Sequence, residues 1–133
     1  MEHPAPKPGT RGRVLVAEDE PHIRRVLLTL LESASFETDA VADGLDALNR
    51  LLGHTRYDLV LLDLMMPRAS GLEVLERVRD LRHRRDVPMV VLTAKGQDAD
   101  RDRAFSLGAS DFVTKPFSPK KLLARIDELL GLD

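Results

Sequence analysis

At 133 residues, with 43% hydrophobic and 32% charged residues, the chain reads as one soluble globular domain with enough apolar content for a real core. A net charge of −2 gives no overall basic field for nucleic acid, and the lack of cysteine excludes disulfides, thiolate metal sites and a thiol nucleophile. No apolar segment reaches the length of a membrane span or a signal-peptide core, so the expected location is cytoplasmic.

Residues 1–12 read as a flexible tail, because Pro4, Pro6, Pro8, Gly9 and Gly12 break any periodicity. His3 has no second ligand near it and reads as part of that tail. Arg13 to Ala17 is a short apolar run and the first predicted strand, ending in Glu18, Asp19 and Glu20. Pro21 suits the first position of a helix. Ile23, Val26, Leu27, Leu30 and Leu31 then recur at spacings of 3, 4, 7 and 8, one face of that helix. Phe36 to Val41 alternates as an edge strand would, and Asp43-Gly44 opens a second helix with Leu45, Leu48, Leu51 and Leu52 on one face.

The next run is the most informative. Leu59 to Leu62 is continuously apolar and runs into Asp63, which suits a strand covered on both faces. Pro67 stiffens the loop that leaves it. Ser70-Gly71-Leu72-Glu73 has the form of a capping box, and Leu72, Leu75 and Val78 give the third helix an inner face. Leu81 to Asp86 is a basic patch, read as a solvated helix end complementing the helix dipole. Pro88 to Leu92 is another apolar run, stopping at Thr93-Ala94-Lys95. Gln97 to Leu107 is the weakest helix, with Ala99, Ala104, Phe105 and Leu107 available for burial and Gly108 as its stop. Asp111 to Thr114 is a short last strand ending in Lys115-Pro116-Phe117. Ser118-Pro119 caps and starts a final helix with Leu122, Leu123, Ile126, Leu129 and Leu130 on its apolar face.

Five strands alternating with five helices imply an α/β fold, a doubly wound parallel sheet with helices on both faces. The three apolar runs belong in its middle, which gives the order 2-1-3-4-5 of flavodoxin-like folds. All strands of a parallel sheet end on one side, so Glu18-Asp19, Asp63, Thr93 and Lys115 converge on one edge. Singly, Asp19 could cap the first helix, Asp63 or Thr93 could cap a loop, and Lys115 could be solvated. Together they are parts for phosphoryl transfer. Crowded carboxylates repel, a divalent cation such as Mg²⁺ relieves the repulsion, and lysine and a hydroxyl suit phosphate oxygens. Carboxylates can accept phosphoryl groups, and Asp63 is the central one.

These residues carry a resemblance. Val16-Ala17-Glu18-Asp19-Glu20-Pro21, Leu61-Leu62-Asp63-Leu64-Met65-Met66-Pro67, Leu92-Thr93-Ala94 and Thr114-Lys115-Pro116-Phe117 resemble the signature of the response-regulator receiver domain of two-component signalling. The resemblance covers residues 13 to 131, in family order. It implies that Asp63 accepts a phosphoryl group from a histidine kinase or histidine phosphotransfer protein. It implies Mg²⁺ held by Asp19, Asp63 and the Met65 backbone carbonyl, with Glu18 acting through a bound water. Glu18 departs from the commoner Asp by one methylene. Lys115 and Thr93 would engage phosphoryl oxygens, and the small Ala94 would leave access.

The resemblance also implies a switch, in which Thr93 moves and Phe112 fills the space behind it. Phe112 lacks the hydroxyl of the commoner Tyr and is expected to prefer the buried orientation without phosphate. The output face is then the fourth helix, fifth strand and fifth helix, for a downstream protein target, as a monomer or a phosphorylation-dependent dimer, with no direct nucleic-acid or membrane contact. Met65 and Lys95, each two residues past a site residue, favour a long-lived phosphoryl state. The chain would be a signalling phosphoacceptor rather than an enzyme. A phosphorylation-independent binding module is the alternative. A phosphatase of the haloacid-dehalogenase type would want an acid where Met65 stands. A flavin-binding protein would want a phosphate loop where Glu18-Asp19-Glu20 would repel one.

Overall fold

The computed structural model describes residues 9–94 and 98–132. The expected tail falls mostly outside these residues, as do Lys95 and Gln97. In chain order the elements are β1 (Arg13–Ala17), α1 (Pro21–Ser33), β2 (Glu37–Val41), α2 (Gly44–Leu52), β3 (Leu59–Asp63), α3 (Gly71–Val78), a 3-10 turn (Arg82–Arg84), β4 (Met89–Thr93), α4 (Asp98–Ser106), β5 (Asp111–Thr114) and α5 (Pro119–Leu130). The strands form one parallel sheet in the order β2-β1-β3-β4-β5.

Alternation along each central strand divides the core in two. Val14, Val16, Leu59, Leu61, Val90 and Leu92 point to the face covered by α1 and α5, where they meet Leu27, Leu31, Leu122 and Ile126. Leu15, Ala17, Val60, Leu62, Met89 and Val91 point to the other face and pack with Leu48, Leu51, Val74, Leu75, Val78 and Ala104. Both faces of β3 are therefore dry, which is why its sequence does not alternate. β2 and β5 are only partly buried, as suits edges.

Helix starts are fixed by side chains that accept otherwise unpaired amides. Asp43, Ser70 and Ser118 cap α2, α3 and α5 as expected, with Pro119 in the first turn of α5. At α1 the cap is Glu20, whose carboxylate accepts from the amides of His22 and Ile23 at 3.1 and 2.8 Å. Asp19 is thereby left out of capping.

Three expectations need correction. The basic patch is solvated at Arg82, His83, Arg85 and Asp86 but not at Arg84. Arg84 is 3% exposed and its guanidinium donates to carbonyls at the C-terminus of α2, namely Leu51 at 2.9 Å, Gly53 at 2.9 Å and Thr55 at 2.7 Å. The dipole it complements belongs to another helix. The four leucines of α2 do not share a buried face, since Leu48 and Leu51 are buried while Leu45 and Leu52 are exposed. α4 buries Ala104 alone, and Phe105 lies exposed beneath the guanidinium of Arg101.

Candidate functional site

Strand register builds the site. Ala17 pairs with Leu62, so Glu18 follows β1 beside Asp63 at the end of β3. Asp63 pairs with Leu92 and Thr93 with Thr114, so Thr93 and then Lys115 continue the same edge. The oxygens of Glu18, Asp19 and Asp63 lie within 4.8 Å of one another. Glu18 and Asp63 are buried, whereas Asp19 is exposed. Lys115 Nζ pairs with Oε1 of Glu18 and stands 3.5 Å from Oδ1 of Asp63. These groups border a cleft of about 400 Å³, with Met65 and Ala94 at its mouth.

Backbone groups set the orientation of each acid. The Glu20 amide donates to Oε2 of Glu18 at 3.1 Å, and the Met65 amide lies 3.4 Å from Oδ1 of Asp63. Arg24 Nη1 donates to the carbonyl of Glu18 at 2.9 Å, which steadies the turn that carries both acids. Gly71 allows the start of α3 to press on the loop after β3. A Cβ there would come within 2.3 Å of the Asp63 carbonyl oxygen. Its amide instead donates to the Leu64 carbonyl at 2.9 Å.

The electrostatic result is a carboxyl group with unusual proton affinity. Burial pushes Asp63 up to about 7, hydrogen bonding with Glu18 and Asp19 and the charge of Glu18 add to this, and Lys115 opposes it. Three hard carboxyl oxygen donors this close fit a small divalent cation, which would relieve that crowding. Asp19 is the best placed of the three, being exposed and not engaged in capping. Glu18 spends one oxygen on Lys115 and the other on a backbone amide.

Of the residues singled out from sequence, Glu18, Asp19, Asp63, Met65 and Lys115 meet at the cleft. Thr93 is fully buried at the next strand end. Phe112 is 9% exposed and lies in the core face with Ala104, opposite Val91 in register. Sequence reading missed Glu20 as the cap of α1 and Gly71 as the close contact on β3. Pro21 was the available signal for the first, since proline at the first helical position makes its predecessor the cap.

Comparison with known proteins agrees with this fold. Residues 14–127 match the family described as response regulator receiver domain. Over 118 residues, 89% of the chain, it is 41% identical to transcriptional regulatory protein ResD of Bacillus subtilis, of which it covers 48%. Over 118 residues it is 42% identical to phosphate regulon transcriptional regulatory protein PhoB of Escherichia coli, covering 51% of it. The chain thus spans about half the length of the curated relatives it matches. Chemotaxis response regulator CheY4 of Vibrio cholerae superposes with a TM-score of 0.84 at 29% identity, over 91% of this chain and 100% of that one. The receiver domain of sensor histidine kinase PA1611 from Pseudomonas aeruginosa, solved with magnesium coordinated in its active-site cleft, gives 0.83 at 29% identity, over 90% and 98%. The fold, the acidic edge and these matches place the chain in the response-regulator receiver domain family of two-component signalling.

Proposed function

We propose that Asp63 is a phosphoacceptor, served by a phosphohistidine of a sensor histidine kinase or histidine phosphotransfer protein. The observation that carries this reading is the meeting of Asp63 with two acids and one ammonium along an open cleft. A carboxylate oxygen of Asp63 forms a bond to phosphorus as the phosphorus–nitrogen bond breaks. The electron pair leaves with the imidazole, and the product is an acyl phosphate. Asp19 and Asp63, with the Met65 carbonyl, would hold Mg²⁺, and Glu18 would reach it through water. When bound, the ion neutralises charge on the carboxylates and on the transferred group.

The chain's own groups do the rest. Lys115 stands close enough to Asp63 to pass from Glu18 to a phosphoryl oxygen. Thr93 offers a second donor, and Ala94 leaves the approach open. Drawing Thr93 toward the phosphoryl group biases the packing of Phe112, and with it the surface of α4, β5 and α5 that meets a downstream protein. The sparse burial of α4 supports its role as the movable element.

We take the receiver unit as residues 13–131, a cytoplasmic signalling protein rather than a turnover enzyme, without direct contact to nucleic acid or membrane. It acts as a monomer or as a phosphorylation-dependent dimer. Among the described residues no helix is long and apolar enough to cross a membrane.

Intact-mass analysis after incubation with acetyl phosphate and Mg²⁺, beside Asp63→Ala, tests the reading. A phosphate-sized gain that is absent with EDTA and in the variant is the expected result. Failure with acetyl phosphate, together with failure to bind beryllofluoride, would leave the phosphorylation-independent binding module.

A further inference from the structure

Apart from the acidic cleft, the molecule carries a larger depression of about 620 Å³ between α2 and α3. We propose that this groove receives an amphipathic helix of a partner protein, one with lysine or arginine flanking its apolar stripe. Leu45, Leu48 and Leu52 lie at positions i, i+3 and i+7 of α2, the spacing by which one helix presents a seam to another. Leu45 is 38% exposed and Leu52 52% exposed, while Leu48 forms the floor. The inner face of α2 needs neither outer leucine, since Gly44, Ala47, Leu48 and Leu51 already fill it. Leu45 and Leu52 therefore project outward on either side of the buried Leu48.

The opposite wall states the charge of the occupant. α3 lines the groove with Glu73 and Glu76, and Asp80 follows just past its end, against one guanidinium, Arg77. Glu76 makes only a long contact of 3.9 Å to Arg103, both groups being largely in water, so its charge stays available. An acidic rim beside a leucine seam repels anionic lipid and nucleic acid and complements a basic amphipathic helix. The competing occupant is a second copy, because α1 displays Arg25 beside exposed Val26. The nine residues of α2 span only two to three turns. The contact would fall below about 1,200 Å², which is the range of transient complexes.

The test is an amide NMR titration of the whole chain in saturating Mg²⁺, which engages the acids of the phosphoacceptor cleft. The probe is a synthetic helical peptide of leucine and lysine with leucines in heptad spacing, beside a scrambled peptide of the same composition. One variant combines Leu45→Gln with Leu52→Gln, and another combines Glu76→Lys with Asp80→Lys. All four positions lie on the surface, and melting temperature checks the fold. Shifts confined to α2 and α3, weakened at least tenfold in both variants and absent with the scrambled peptide, are expected. Absence of binding, shifts elsewhere, or unchanged affinity in the leucine variant would overturn the proposal. So would self-association of the wild type that the leucine variant abolishes, which would name a second copy as the occupant. Acyl-phosphate formation at Asp63 is read separately by mass and does not enter this outcome.

Discussion

Lys115 is shared unequally between two carboxylates: its ammonium closes on Glu18 and stands 3.5 Å from Oδ1 of Asp63. It is the cation that the described structure places among three acids, and it occupies the charge-neutralising role that a divalent ion would take over. Lys115→Ala should therefore have two opposed effects. Mg²⁺ should bind more tightly, by about tenfold, because a competing positive charge has gone. Phosphoryl uptake from acetyl phosphate should slow, because a donor to the incoming oxygens has gone too. Mg²⁺ titration and intact-mass kinetics read the two separately. A variant that lost Mg²⁺ affinity would show that Lys115 organises the acids instead of competing for them.

Asp63 gives the metal-free protein a distinctive pH dependence. Its carboxyl is pushed from the ordinary value of 3.8 up to about 7, chiefly by burial. The folded state thus holds a proton that the unfolded state releases. The stabilisation is fully present below the ordinary carboxylate range and is lost as pH rises through about 7. In EDTA the melting temperature should fall between about pH 5 and about pH 8, by an amount corresponding to roughly 1–2 kcal/mol once solvent in the cleft is allowed for. Mg²⁺ should reverse the loss, and more strongly at the higher pH. Asp63→Asn should flatten the profile. A wild-type melting temperature that rose over this interval in EDTA would contradict the assignment.

The phosphoryl group on Asp63 should be long-lived. Met65 stands 66% exposed at the mouth of the cleft and has no strong donor with which to orient an attacking water. Met65→Asn places an amide there and should shorten the half-life of the phosphorylated protein several-fold, measured as loss of the added mass. A wild-type half-life of seconds at neutral pH would be the opposite outcome.

The parts of this fold legible in the sequence are those set by local chemistry. Unbroken apolar runs marked β3 and β4 as central, and Pro21, Ser70 and Pro119 marked helix starts. Once the strand order followed, the convergence of Glu18, Asp63 and Lys115 followed from parallel register alone. What was not legible depends on partners far away in the chain. Nothing local distinguishes Leu51, buried against the sheet, from Leu52, half in water, because an α-helix turns by only 100° between them and its packing angle decides which is inside. The buried state of Arg84 was equally hidden, since its acceptors lie about thirty residues earlier in the chain.

Arg84 gives the sharpest test of that hidden part. Arg82 and Arg85 of this run sit in water, yet Arg84 between them is buried and its guanidinium lies 5.3 Å over the ring of Tyr57. Its nitrogens serve the carbonyls of Arg50, Leu51, Gly53 and Thr55, which include the last unpaired acceptors of α2. Arg84→Ala removes the guanidinium's donors together and leaves the Arg50 and Thr55 carbonyls without this partner, while His83 Nε2 still faces those of Leu51 and Gly53, at a cost of about 3 kcal/mol. Arg84→Lys keeps the charge but offers one compact ammonium in place of a planar fork, so it should recover less than half of the loss. Denaturant unfolding of both variants checks this. If α2 owes its C-terminus to Arg84, amide exchange in α2 should also rise more than in α5. A lysine variant as stable as wild type would mean that charge alone, opposite the α2 dipole, holds this end of the helix.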